Sequence, residues 1–194
     1  LLTVANYFGI KKAGAINLLI VGVTLLSLLY LVFSGMPAIR TENFKPFAPF
    51  GISGIAEASA LVFFAFTGYA RIATLAEEVL EPDKTIPKAV TITILTAIIL
   101  YAAVSVVAVG VIGAERMADS LSPLERVAEV LTAPAIKTVV TIGASTAMFG
   151  VLLSQILGIS RMMLAMGRRN DLPPVFKAVH PAYRVPHFGI IITG

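Results

Sequence analysis

The 194 residues are 57% hydrophobic and 13% charged, and their mean hydropathy is +0.90. Soluble domains carry about 25% charged residues, so this composition excludes an ordinary soluble protein and predicts an integral membrane chain. The sequence contains no cysteine, which excludes a disulfide framework and thiol chemistry.

Four long apolar stretches predict membrane-spanning helices, each near or above the ~20 residues that a helix needs to cross the hydrocarbon. They cover residues 16–33, 52–80, 88–112 and 137–166. Barrel strands would alternate in polarity over about ten residues, and these stretches do not. We therefore predict an all-α integral membrane fold. Because the chain opens on Leu1 rather than methionine and closes as another apolar run begins, we interpret it as a fragment of a longer protein.

The net charge of +4 is distributed unevenly between the two sides of the predicted spans. Basic residues concentrate before the first span, around Lys84 and beyond Arg161. The positive-inside rule then places the Lys11/Lys12 side and the loop 167–187 in the cytoplasm. This topological reason for the basic excess makes a nucleic-acid partner unexpected.

The second span contains a run, Phe63 to Ala70, that is a candidate break in the helix. Gly68 lowers helix propensity, and the Thr67 side chain can compete for backbone hydrogen bonds. A break near 65–68 would free backbone groups at mid-depth, which membrane proteins tolerate only beside protein or a cavity. The pattern fits a broken helix with a binding site and an intact helix with a packing glycine equally well.

Charged residues follow this run. Arg71, Thr74 and Glu78 share one helical face, because they lie three and seven residues apart. An inner gate or ion pair is the first interpretation. The alternative is that Arg71 holds an anionic group of a substrate.

The third span has only Tyr101 and Ser105 as central polar residues, which favours a scaffold helix. An amphipathic helix over 123–131 follows on the outer side. Ser122 is placed as its N-cap and Glu125 as the partner in a capping box. This helix would be a lid or a surface connector, with an apolar face of Leu124, Val127, Ala128 and Leu131.

The fourth span carries small residues at Gly150, Ser154 and Gly158, a spacing that lets another helix approach closely. Ser145 and Ser154 could also face a cavity. In the loop that follows, the separation of His180 and His187 does not favour a metal site. The sequence lacks nucleotide-binding, metalloprotease and hydrolase motifs, so we predict neither an enzyme nor a cofactor.

Two long motifs resemble those of the amino acid–polyamine–organocation (APC) transporter superfamily. The segment FFAFTGYARIATLAEEVLEPDKTIPKAV, residues 63–90, resembles the sixth-helix signature, and SRMMLAMGRRNDLPPVFKAVHPAYRVP, residues 160–186, resembles the loop between the eighth and ninth helices. The resemblance covers essentially the whole chain, as helices five to eight and the beginning of nine. It implies a leucine-transporter-like inverted-repeat fold, with four transmembrane helices here and one of them discontinuous.

The resemblance also implies roles for particular residues. A substrate site would lie at the break and bind the α-amino group, and Phe64 would close over the substrate as part of the gate. The coupling-ion candidates are Thr24, Ser145 and Ser154. The implied substrate-binding residues are Phe64, Ala65, Phe66, Thr67, Gly68 and Tyr69, and the implied gate residues are Phe64, Arg71 and Glu78.

The expected function is secondary active transport of amino acids by alternating access across the cell membrane. The expected partners are a small amino acid substrate, the lipid bilayer and the missing helices of the same protein. An amino acid–polyamine exchanger is one alternative. A non-transporting membrane scaffold or receptor is another, and it predicts that changes at the break leave function intact.

Overall fold

The structure, a computed structural model, describes residues 2–7, 10–48, 50–66, 68, 79–181, 183 and 185–194. Of Ala5 and residues 10–12 only the backbone is described. Four predicted site residues therefore lie outside the described residues: Thr67, Tyr69, Arg71 and Glu78.

Every regular element in these described ranges is helical, in agreement with the predicted all-α membrane fold. Short 3-10 helices at Met36–Ala38, Thr41–Phe44 and Pro174–Lys177 lie between longer helices. The α-helices are α1 Leu2–Tyr7, α2 Ile10–Gly35, α3 Gly51–Phe66, α4 Pro82–Ile112, α5 Ala114–Ala118, α6 Pro123–Val130, α7 Ile136–Arg168 and α8 His187–Thr193.

Three of the described helical stretches are long and apolar enough to cross a membrane. They are Ala13–Ala38, Pro82–Ile112 and Ile136–Arg168, with mean hydropathies of 2.5, 2.6 and 1.7. The fourth apolar helix, α3, has 16 residues and ends at Phe66. Phe66 lies within the predicted break at 65–68, but residue 67 is outside the described residues, so the break stays a prediction. Because residues 69–78 lie outside the described residues, the second half of the broken span stays a prediction.

The long helices extend beyond the predicted spans. α4 begins at Pro82 rather than at 88, with Pro82 in the first turn, where its missing N–H costs no helical hydrogen bond. Asp83 and Lys84 lie in this added segment, and Lys84 Nζ is 2.9 Å from Glu81 Oε2. Hydropathy detects the part of a helix that lies in hydrocarbon, whereas a helix continues into polar surroundings wherever its backbone bonds are kept.

The chain divides into two compact units. The first contains residues 1–25, 71–80 and 144–194. Its buried cluster is Ile156, Val185 and Ile190, packed with Leu2 and Tyr7. Through this cluster the segment after α7 packs against α1.

The second unit contains residues 26–70 and 81–143. Its larger core joins the end of α2, the end of α4, α6 and the start of α7. Leu31, Val127 and Ala108 are its most deeply buried members. The apolar face of α6 is part of this core, since Val127, Ala128 and Leu131 are buried. α6 therefore packs on protein along this face.

The predicted capping box at the start of α6 is wrong. Ser122 occupies the N-cap position, but its side chain makes no capping hydrogen bond. Glu125 does not reach back to it, because the Thr141 hydroxyl of α7 donates to Glu125 Oε1 at 3.1 Å. A tertiary contact with α7 has replaced a local one.

A second polar contact joins α6 to α7. Glu129 accepts hydrogen bonds from Lys137 Nζ at 3.0 Å and from Arg126 Nη1 at 2.8 Å. The bond from Lys137 and then that from Arg126 lower the pKa of Glu129 below its ordinary value. The carboxylate is therefore the form that links the two helices.

We expect Glu129→Gln to lower the melting temperature slightly near neutral pH and to have no effect in acid. Because folding lowers the pKa of Glu129, its stabilising contribution is present above the ordinary carboxyl range and is lost as pH falls through the folded-state pKa. The contacts are exposed, so the shift is small. Thermal unfolding of wild type, Glu129→Gln and the control Asp119→Asn across this pH range measures it. A destabilisation of Glu129→Gln that persists in acid would contradict this account.

Candidate functional site

The candidate substrate site is at the end of α3. Phe64 is 71% exposed, and its ring meets that of Phe63 edge-on with centroids 6.1 Å apart. Phe66, the last residue of the helix, points its ring at Tyr101 of α4, with centroids 5.4 Å apart. The two phenylalanines predicted to bind substrate thus have different surroundings.

A cavity of about 570 Å³ lies beside Phe66 in the second unit, formed by α2, α3, α4 and α6. This volume is within the ~300–1,000 Å³ of small-molecule sites. Ala65 and Phe66 line it; Phe64 and Gly68 do not. The described residues that line it are Leu28, Val62, Ala65, Phe66, Ile98, Tyr101, Ala102, Val104, Ser105 and Leu124.

The cavity wall includes two residues that the sequence analysis assigned to a scaffold helix. Among the described lining residues, Tyr101 and Ser105 carry the polar side chains and the others are apolar. They lie four residues apart and so share one face of α4. The sequence offered one sign of this wall, which is a pair of hydroxyl residues at helical spacing in an apolar helix. Only the contact between Tyr101 and Phe66 shows that the pair lies beside the predicted break.

The walls determine what the cavity can accept. Its described lining contains no charged side chain, so a buried charge would have no ionic partner there. An apolar group loses no hydrogen bond on entering, and each buried CH₂ contributes about 0.8 kcal/mol. The cavity therefore suits an apolar side chain.

The coupling-ion candidates do not converge on one point. In the first unit, the Thr24 and Thr146 hydroxyl oxygens are 3.1 Å apart, and Thr24 donates to the carbonyl of Ile20 at 2.9 Å. The residue that meets Thr24 is thus the neighbour of the predicted Ser145. Ser154 is nine residues beyond Ser145, about 13 Å along α7, so one ion cannot contact both serines.

The predicted gate pair, Arg71 and Glu78, lies outside the described residues. Their ion pair stays a prediction.

His180 and His187 are seven residues apart in the sequence, and their rings lie close together in the structure. Their ring centroids are 5.7 Å apart, and His180 also contacts Tyr7 of α1 at 5.5 Å. These contacts attach the segment before α8 to α1. Over the residues that the structure describes, no group of three metal-ligating side chains forms a metal site.

Comparison with known proteins decides the class. The profile of the family described as amino acid permease matches residues 1–194. The chain belongs to the amino acid permease family. The match confirms the predicted membership of the APC superfamily. Together with the long apolar helices, it makes the chain part of a multi-pass membrane protein.

Related permeases and transporters cover nearly all of the chain. An uncharacterized transporter of Mycobacterium tuberculosis is 39% identical over 195 residues, 100% of this chain and 44% of the relative. A branched-chain amino acid permease of Bacillus subtilis is 32% identical, covering 96% of this chain and 40% of the relative. A methylthioribose transporter of the same organism is 31% identical, with the same two coverages of 96% and 40%.

The chain spans less than half the length of each of these relatives. The two Bacillus proteins are named for different substrates, so family membership does not fix the substrate.

Proposed function

We propose that this chain forms part of a secondary active transporter that moves amino acids by alternating access. Residues 64–69 would bind and occlude the substrate. The observation that carries the proposal is the cavity lined by Ala65 and Phe66 where α3 ends, in a chain of the amino acid permease family.

The end of α3 supports the role of the backbone in binding an α-amino group. The last four carbonyl groups of a helix lack helical partners and form the negative end of its dipole. With the proposed break at 65–68, such carbonyls would come from the last described turn of α3, residues 63–66. A substrate ammonium is a suitable donor to them, and the adjacent cavity would receive the side chain of the same molecule.

The lining of the cavity supports an apolar amino acid as the substrate. Apolar walls with two hydroxyls favour a branched or aromatic side chain over a charged one. The branched-chain amino acid permease of Bacillus subtilis, one of the relatives, is named for substrates of this kind. Sequence identity of 32% does not by itself carry that substrate over, so the preference rests on the cavity.

The other roles are proposals that extend the same mechanism. Phe64, exposed in the last described turn of α3, does not line the cavity and would close over the bound substrate. Arg71 and Glu78 would form the inner gate. Thr24, together with Thr146, is the coupling-ion candidate with a described neighbouring hydroxyl.

Uptake into proteoliposomes tests the proposal. The complete transporter is supplied with labelled leucine, and we expect uptake that an inward proton or sodium gradient accelerates and that a charged amino acid does not inhibit. Vesicles without protein are the control. Uptake driven only by unlabelled amino acid or polyamine inside the vesicles would instead identify an exchanger. Absence of uptake for all amino acids under every condition would contradict amino acid transport.

A further inference from the structure

A second cavity lies in the second unit, at the end of the membrane-length helices. Its volume is about 630 Å³. Arg40 and Arg116 line it, together with the hydroxyl residues Ser34 and Thr132, and the rest of the lining is apolar. The described lining contains no carboxylate, so the cavity combines two positive charges with an apolar wall.

Both arginines are attached to the same end of α4. The backbone N–H of Arg40 donates to the carbonyl of Gly110 at 2.8 Å, and Ile39 packs so closely on Gly110 that a Cβ there would lie 2.9 Å from it. Arg116 is on α5, which follows α4 after a turn at Gly113 with φ of 83°. The two backbones are thus held in place, although both side chains are exposed.

Local carboxylates do not neutralise these arginines. Within the described part of the chain, neither Arg40 nor Arg116 forms an ion pair within 4.0 Å. Glu42 and Glu115 line the adjoining cavity of about 380 Å³. Arg40, Arg116 and Lys45 also line that cavity, so it holds three cationic side chains beside the two carboxylates. The charge facing the larger cavity is therefore available to an external anion.

The position of this cavity relative to the long helices indicates where that anion comes from. α2, α4 and α7 have 26, 31 and 33 residues. At 1.5 Å per residue they are about 39–50 Å long, which exceeds the ~30 Å hydrocarbon thickness. Helix ends of this length project into the head-group layer. The ends of α2 and α4 and the start of α7 meet in one core, beside which the cavity lies.

We propose that this cavity binds the phosphodiester of an anionic phospholipid. The two guanidinium groups would hold the phosphate, for which arginine has matching donor geometry, while Val111, Leu131 and neighbouring apolar residues contact the upper part of the acyl chains. On the orientation expected from the sequence, this end faces away from the cytoplasm, where the positive-inside rule does not require basic residues. Lipid binding gives these arginines a function independent of the transported substrate.

Native mass spectrometry of the delipidated complete transporter tests this. It is offered equimolar phosphatidylglycerol and phosphatidylcholine with identical acyl chains. We expect wild type to retain phosphatidylglycerol preferentially and the double variant Arg40→Gln/Arg116→Gln to bind it roughly tenfold or more weakly. The control Lys84→Gln/Lys88→Gln removes the same charge at the opposite end of α4 and is expected to keep the preference.

Two further arms make the outcome decisive. Arg116→Lys keeps the charge but loses the planar fork, so we expect intermediate affinity even where the double variant unfolds. Inorganic phosphate is added as a competitor. Unchanged lipid preference in the double variant and in Arg116→Lys would overturn the proposal. Inorganic phosphate bound at the same arginines with no preference for either lipid would overturn it too, by assigning the cavity to a free anion.

Discussion

Gly143→Val is expected to destabilise the protein by about 3 kcal/mol, the upper part of the range for overpacking a core. Gly143 is buried on α7, and a Cβ at this position would overlap the Ser27 hydroxyl of α2, which is itself buried. Neither helix can retreat without opening the adjacent core of Leu31 and Val140. We therefore expect a large fall in melting temperature and poor recovery of the folded protein from membranes.

Gly22→Val is the matched control. A Cβ on Gly22 of α2 has no atom within 4 Å, so the same substitution there is expected to change stability little. Thermal unfolding of both variants in detergent makes the comparison. Adding Ser27→Gly to Gly143→Val should restore part of the loss, because the two residues share one contact. Equal melting temperatures for Gly143→Val and Gly22→Val would contradict the close approach of α2 and α7 at this position.

Ala65→Phe should lower leucine uptake roughly tenfold or more, while uptake of alanine falls less. Ala65 lines the 570 Å³ cavity, and a phenyl ring at that position would fill the space that we assign to the substrate side chain. Initial rates of uptake of the two amino acids by the complete transporter in proteoliposomes provide the measurement. Their ratio distinguishes a lost pocket from a general loss of active protein.

Ala60→Phe tests whether the effect belongs to the cavity. Ala60 lies on the same helix, is exposed and is not part of the described lining. We expect it to retain the wild-type ratio of leucine to alanine uptake. If Ala65→Phe and Ala60→Phe reduce leucine uptake by the same factor, the cavity does not receive the side chain.

Hydropathy and propensity predicted the elements of the fold better than their ends. Long apolar runs predict membrane helices because the bilayer requires that composition, and α2, α4 and α7 are long apolar helices that lie over such runs. Their ends extend further, as at Pro82, since hydropathy does not detect polar turns that keep helical bonds. The break that Gly68 suggests at 65–68 stays a prediction, because residue 67 lies outside the described residues.

Contacts between residues that lie far apart in the chain could not be predicted from the sequence. Glu125 is spaced for a capping box, yet it bonds Thr141, sixteen residues away. The ring of Tyr101 meets that of Phe66 thirty-five residues earlier, which brings α4 into the candidate site. Spacing rules describe neighbours on one helix; they contain no information about which helix packs opposite. The motif resemblance predicted the site segment, and only the packing of α4 showed the wall of the cavity beside it.

The central claim is that the segment 64–69 binds the substrate. Its most direct test is uptake of labelled amino acids into proteoliposomes by the complete transporter, beside the variants Phe64→Ala and Thr67→Pro. Phe47→Ala, at a phenylalanine that is 89% exposed and outside this segment, is the control. We predict that both segment variants lose uptake while the control keeps it. Full uptake in all three variants would mean that this stretch is only a packing segment and that the proposed site is wrong.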